Sequence, residues 1–383
     1  MNFPLPHFVI MESFIYVTHF RPRVVAFVFV VPFFMSALCS GADLPAVFVF
    51  GDSLLDPGNN DYINTLSRAN YPPNGLDFPG QVPTGRFTNG RTIVDILGKE
   101  LGLSDFTPPY LAPNTTGRVV LKGVNYASGA GGILNETGAI FGGRLCLDAQ
   151  IDYFAKTREY IISSLGAQNA ANLMRKAIFT VNMGSNDFIN NYLVPILSEP
   201  QKAVIRPDAF IEKLISKYNL QLTRLYSLGG RKIVVVNVGP IGCIPYLKDT
   251  QNLGGKGCLE IANQIAQGFN KRLKNLVEQL RMNLEGSLFV YADAYRIVDD
   301  IYTNYKRNGF EVPDAACCFL LGQHGGILPC GPGPAKVCVD RSKYFFWDAY
   351  HPSEAANVII ARRLLDGDSN DILPMNIRQL VRA

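Results

Sequence analysis

The chain predicts an α/β fold, a five-stranded parallel sheet with helices on both faces. Three observations predict it. Apolar β-branched and aromatic runs alternate with amphipathic helical stretches from Ala46 to Leu365, the pattern of strands joined by helical crossovers. The first three strands end in GDS, SGAGG and GSND, and open α/β sheets place their ligand loops beyond such ends. No internal repeat or low-complexity linker interrupts the pattern. Length alone allows about two to three domains, but this continuity favours a leader over 1–42 followed by a single domain over 43–383.

Ala46–Phe50 (AVFVF) reads as the first strand because it is short, apolar and rich in β-branched and aromatic residues. A Pro- and Gly-rich loop follows from Asp56 to Asn89, and TGRFTNGRT leads into a helix over Ile93–Leu101. Gly123–Ala127 is a second strand broken by SGAGG, and Ile151–Leu165 is helical. Ala177–Asn182 is the third strand, ended by GSND. Asp208–Leu228 carries apolar residues at Phe210, Leu214, Tyr218, Leu222 and Leu225, a helical spacing. Lys232–Val238 and Leu288–Ala292 are the fourth and fifth strands, separated by a long helix over Leu259–Leu284. A Gly/Pro loop with cysteines covers Gly322–Pro334. Ser353–Leu365 closes the chain as a helix, with Pro352 at its start.

Composition excludes several classes. Apolar residues make up 48% and charged residues 18%, enough to bury a core and too apolar for disorder. The formal charge is +4; Arg21 and Arg23 against Glu12 give the leader +1 and leave +3. That charge is too small and too dispersed for a nucleic-acid footprint. Arg21 and Arg23 precede VVAFVFVVPFFMSAL, and the small residues Ser40, Gly41 and Ala42 follow. A positive flank, a short apolar core and a small-residue exit describe a secretory signal peptide. An uncleaved anchor is the rival reading, and Met11 is an alternative start.

Cysteine usage agrees with export. Seven cysteines follow Cys39: Cys146, Cys243, Cys258, Cys317, Cys318, Cys330 and Cys338. An oxidising compartment pairs most of them and leaves at least one unpaired by parity. Cys243 with Cys258 closes a plausible loop, and the 317–338 cluster has room for one or two more; connectivity stays open. The spacings do not match zinc patterns. Asn114-Thr115-Thr116 and Asn135-Glu136-Thr137 are glycosylation acceptors.

Ser53 stands on the turn after the first strand, where a hydroxyl is presented for nucleophilic chemistry, although a helix N-cap would also use a serine. A base follows by elimination. Of four histidines, His7 and His19 fall in or before the leader, and His324 (LGQHGG) has no carboxylate close in sequence. His351 follows Asp348 by three in FFWDAYHPSEAAN, so a short turn brings carboxylate and imidazole together. The backbone N–H of Ser53, the N–H of Gly129 in NYASGAGG and the amide of Asn186 in GSND are candidate oxyanion donors. Asp52 is read as a structural carboxylate that bonds backbone near the turn.

These blocks together carry a resemblance. FVFGDSLLDPGNN, TGRFTNGRT, GVNYASGAGGI, VNMGSNDF, NVGPIGCIP and FWDAYHPSEAAN resemble, in order and across nearly the whole mature chain, the plant branch of the GDSL esterase/lipase family in the SGNH hydrolase superfamily. The resemblance implies a three-layer α/β/α flavodoxin-like fold, with the family's invariant positions on Ser53, Gly129, Asn186 and His351 and with Asp348 completing a triad. It implies a secreted carboxylic-ester hydrolase working through an acyl-enzyme on Ser53. An acyltransferase on the same triad and a non-catalytic binding protein are the alternatives. No cofactor and no metal are expected. The expected partner is a small-molecule or lipid ester, with no nucleic acid, no stable membrane insertion after leader removal, and a monomeric state.

Overall fold

The structure, a computed structural model, describes residues 46–193, 205–250, 257–328, 330–333 and 335–383. The expected signal peptide lies outside the described residues.

Strands β1 (Val47–Gly51), β2 (Gly123–Asn125), β3 (Ile178–Asn182), β4 (Lys232–Val236) and β5 (Leu288–Ala292) lie parallel. A two-residue strand, β10 (Ile372–Leu373), pairs antiparallel with β5, giving the order β10-β5-β4-β3-β1-β2. The five expected strands are therefore joined by a sixth, which is too short to leave a pattern in the sequence. Helices α2 (Leu147–Leu165), α5 (Pro207–Ser227) and α7 (Glu260–Asn283) pack together as one layer, α2 against β1 and α7 against β5. Helix α9 (Glu354–Asp366) gathers α1 (Ile93–Glu100), α8 (Ala294–Thr303) and α10 (Ile377–Arg382) into another. This is a three-layer α/β/α arrangement.

Every β1 residue is buried, as a central parallel strand requires. Phe48 and Phe50 share one face of the pleat and meet Phe154 of α2 with ring centroids 5.1 and 5.8 Å away. Phe179 of β3 closes the same cluster.

The ends of elements differ from expectation for local reasons. β2 stops at Asn125 because that side chain donates to Leu55 O and accepts from Ala127 N. α9 begins at Glu354, one residue later than expected, because the Ser353 hydroxyl accepts from Ala356 N as the N-cap. The chain ends on α10, whose capping box joins Asn376 and Gln379. α3 (Ala167–Lys176) and α8 were not expected, and each buries only two side chains.

Outside the main sheet, β6 (Val312–Ala316) pairs with β9 (Tyr344–Phe346), and β7 (Cys318–Phe319) pairs with β8 (Lys336–Val337). Disulfides join Cys243–Cys258, Cys317–Cys338 and Cys318–Cys330, and Cys146 keeps a free thiol.

Candidate active site

Gly51 ends β1 and meets the carbonyl of Asn182 so closely that a Cβ would sit 2.9 Å from it. The Gln150 side chain clamps Gly51 from α2, accepting from Gly51 N and donating to Gly51 O at 2.9 and 2.8 Å. The chain then turns, with Leu55 N and Asp56 N donating to Asp52 O. Ser53 is held on that turn with its hydroxyl facing a cavity of about 240 Å³. Asp52 is buried and accepts from Leu54 N at 3.0 Å, the structural role expected of it.

His351 sits at the end of a tight turn after β9. Trp347 N donates to His351 O at 2.8 Å, and Asp348 Oδ1 accepts from the backbone of Tyr350 and His351, each at 2.8 Å. The same carboxylate lies 2.8 and 2.9 Å from His351 Nδ1, while Nε2 lies 2.8 Å from Ser53 Oγ. A carboxylate accepting from Nδ1–H leaves Nε2 as the acceptor for the serine proton. Asp348 and His351 are both buried, which excludes competing water from the pair.

The TGRFTNGRT block braces this turn. The Phe87 ring lies 5.1 Å from the imidazole, and Thr88 Oγ1 donates to Pro352 O at 3.0 Å. Asn89 accepts from Glu354 N, and Arg91 pairs with Glu354 at the start of α9. Arg86 anchors the block through a buried bidentate pair with Asp95 and a bond to Pro57 O.

The oxyanion donors divide. The N–H of Ser53 has no partner among the described residues. Asn186 lines the cavity; its amide nitrogen donates one hydrogen to Gly131 O at 2.9 Å, leaving the second, and its oxygen accepts from Asn190. The Gly129 N–H, expected at the oxyanion, donates instead to Asp56 Oδ2 at 2.9 Å. Asp56 was invisible as its acceptor because the two are 73 positions apart. The next residue, Ala130, lines the cavity.

Asp56 belongs to a seam that holds the loops in register. It also accepts from Gly58 N and Asn59 N. Asn59 donates to Asn125 O and Ala127 O, and Asn60 donates to Gly129 O. A second seam runs through Asp187, which accepts from Ile133 N, Leu134 N and Thr137 Oγ1. Burial pushes Asp56 up to about 7 and Asp52 and Asp187 each up to about 6, against hydrogen bonds that favour the ionised form. The sequence signal for both seams was present, in DPGNN and GSND, but nothing in it separates a structural carboxylate from a reacting one.

His324 is not isolated as its sequence context implied. Its Nδ1 lies 2.7 Å from Asp249 Oδ1, across 75 positions. It does not line the Ser53 cavity.

Beyond this geometry, the sequence profile of the GDSL-like lipase/acylhydrolase family matches residues 47–364. Three proteins of Arabidopsis thaliana, each named a GDSL esterase/lipase, are similar along nearly their full lengths. They are 60%, 49% and 50% identical to this chain over 91%, 93% and 94% of it, and 94%, 96% and 98% of each relative is covered. A match of this extent, with its sequence blocks gathered around one hydroxyl–imidazole contact at the edge of a cavity, places the chain in the GDSL-like lipase/acylhydrolase family.

Proposed function

We propose that this protein is a secreted serine esterase that hydrolyses carboxylic esters through an acyl-enzyme on Ser53. The observation that carries the reading is the 2.8 Å approach of His351 Nε2 to Ser53 Oγ, with Asp348 on the opposite ring nitrogen. His351 takes the hydroxyl proton as Ser53 Oγ attacks the ester carbonyl carbon. Asp348 stays ionised and stabilises the imidazolium. The carbonyl oxygen takes up negative charge and meets the Ser53 N–H and the remaining N–H of Asn186. As the intermediate collapses, the alcohol leaves with the proton from Nε2. Water then gives a proton to His351, attacks the acyl carbon and releases the acid and the serine.

Secretion is supported by the leader sequence and by three disulfides, which persist in oxidising compartments. No helix among the described residues is long and apolar enough to cross a membrane. The side chains of Asn114 and Asn135 are exposed, as carriers of glycans must be, and the enzyme works as a monomer. The test is hydrolysis of p-nitrophenyl acetate by the wild type and by Ser53→Ala. Turnover in the wild type and its loss in a folded variant support the reading; equal turnover in both contradicts it.

A further inference from the structure

The loop after β1 carries a cation to the wall of the Ser53 cavity. Thr65 Oγ1 accepts from Ser67 N and donates to Phe141 O, and Leu66 N donates to the same carbonyl at 2.8 Å. Asn60 Nδ2 donates to both Ser67 O and Gly129 O, which ties this segment to the loop after β2. The two loops pack closely, since a Cβ on Gly129 would lie 2.7 Å from Ser67 Oγ. Arg68 follows on this braced segment, its N–H donating to Leu66 O at 3.1 Å. It is half-buried, and among the described residues that line the cavity it is the only lysine or arginine.

The protein leaves this guanidinium poorly matched. Nη2 donates to Ile63 O, Nε is buried with no partner, and no carboxylate among the described residues forms an ion pair with it. Asp61 is the carboxylate that feels its charge. Burial pushes Asp61 up to about 6 against the pull of Arg68 and Arg86, and Asp61 Oδ1 is itself buried without a partner. Arg86 is closed by its bidentate pair with Asp95. The carboxylates of the cavity wall are engaged elsewhere, Asp348 by His351 and the N–H groups of its turn, Asp52 by Leu54 N. A guanidinium stays charged and presents a planar fork of donors suited to a carboxylate. A partly buried charge without a counter-ion is costly, and the cavity is the side from which a counter-ion can reach it.

We propose that Arg68 is a substrate-binding residue and that the preferred substrate is an ester bearing a carboxylate. The inference rests on the esterase reading above and names the substrate class of that site. The carboxylate accepts from the Arg68 guanidinium while the ester carbonyl stands at Ser53. This contact is the same before and during attack, so it acts on KM rather than on kcat. A carboxylate on the acyl part and one on the alcohol present the same chemistry to Arg68, and two pairs of esters distinguish them.

The experiment measures kcat/KM for the wild type, Arg68→Gln and Arg68→Lys. One pair is monomethyl adipate against methyl adipamate; the other is 4-butyryloxybenzoate against 4-butyryloxybenzamide. Within each pair a carboxylate replaces an uncharged amide of similar shape, so a general loss of activity cancels in the ratio. A hydrogen bond between charged groups contributes about tenfold to a hundredfold, so the wild type should favour the carboxylate about tenfold or more in at least one pair. Arg68→Gln should lower that ratio about fivefold or more, through KM. Arg68→Lys keeps the charge but not the fork, so its ratio should fall between the two. Melting temperatures establish that the variants fold; Arg68→Met, which keeps an apolar stem, replaces Arg68→Gln should that variant not fold. A wild type without the preference in either pair, or a folded uncharged variant that keeps it, overturns the proposal and leaves the esterase reading intact. Equal ratios for the lysine and uncharged variants overturn it as well. If the wild type hydrolyses none of the esters, the esterase reading fails, and calorimetry with monomethyl adipate and 4-butyryloxybenzoate decides the role of Arg68. Binding of either carboxylate weakened about fivefold or more in the uncharged variant supports it; equal or undetectable binding overturns it.

Discussion

His351 Nε2 stands 2.8 Å from Ser53 Oγ although 298 positions separate the two residues. Each is fixed by its own end of the fold. Gln150 and Asp52 hold the turn after β1, and the 348–351 turn is tied by Asp348 and braced by Phe87 and Thr88. The contact therefore needs no rearrangement to form, and its energetic consequences can be stated residue by residue.

Asp348→Asn keeps an oxygen for the Tyr350 and His351 N–H groups, so the turn should survive. The amide no longer stabilises an imidazolium and disturbs the tautomer that frees Nε2. We expect kcat on an ester to fall about 10³–10⁴-fold with little change in melting temperature. A loss below tenfold in the folded variant contradicts the role of Asp348.

Asn186→Ala removes the side-chain donor expected at the oxyanion. Such a donor acts chiefly in the transition state, so kcat should fall about 10²–10³-fold while KM changes little. Asn186 also bonds Gly131 O, so circular dichroism must show an intact fold. A KM effect with unchanged kcat would place Asn186 in substrate binding instead.

Asp187→Ala leaves Ile133 N, Leu134 N and the Thr137 hydroxyl without their buried acceptor. An unsatisfied buried donor costs about 1–3 kcal/mol, so urea denaturation should show a loss of at least about 2 kcal/mol. A variant of wild-type stability would mean that water replaces the carboxylate at no cost.

Asp52 gives a pH dependence with a definite sign. Burial raises its carboxyl from the ordinary 3.8 to about 6, so the native state holds its proton more tightly than the unfolded chain. Its contribution is fully present below about pH 4 and is lost as pH rises through 6. Asp52→Asn still accepts from Leu54 N and removes that loss. The stability of the variant relative to wild type should therefore rise between pH 4.5 and 7.5, as read from urea midpoints; a constant difference would contradict the assignment.

Five strands and the residues around Ser53 were legible because each depends on local pattern. VFVFG and the IVVV of β4 are buried on both faces, and a parallel strand of that kind writes itself as unbroken apolar sequence. β10 has two residues and α8 buries only Ile297 and Ile301, too few to show a period. The destination of the Gly129 N–H was illegible for another reason. Glycine shows that backbone approaches something closely, and here a Cβ would strike Phe87, Ser67 and Asn60. Only the fold reveals that Asp56 takes the hydrogen bond. The same holds for His324, whose partner Asp249 lies in α6 (Pro245–Thr250).

The most direct measurement is mass spectrometry of the intact protein and its peptides after treatment with a fluorophosphonate. An activated serine hydroxyl attacks phosphorus and keeps the phosphonyl group. The account predicts one adduct, on the peptide holding Ser53, formed in the wild type and absent from His351→Ala. An adduct on another serine, or equal labelling of Ser53 without the imidazole, would contradict it.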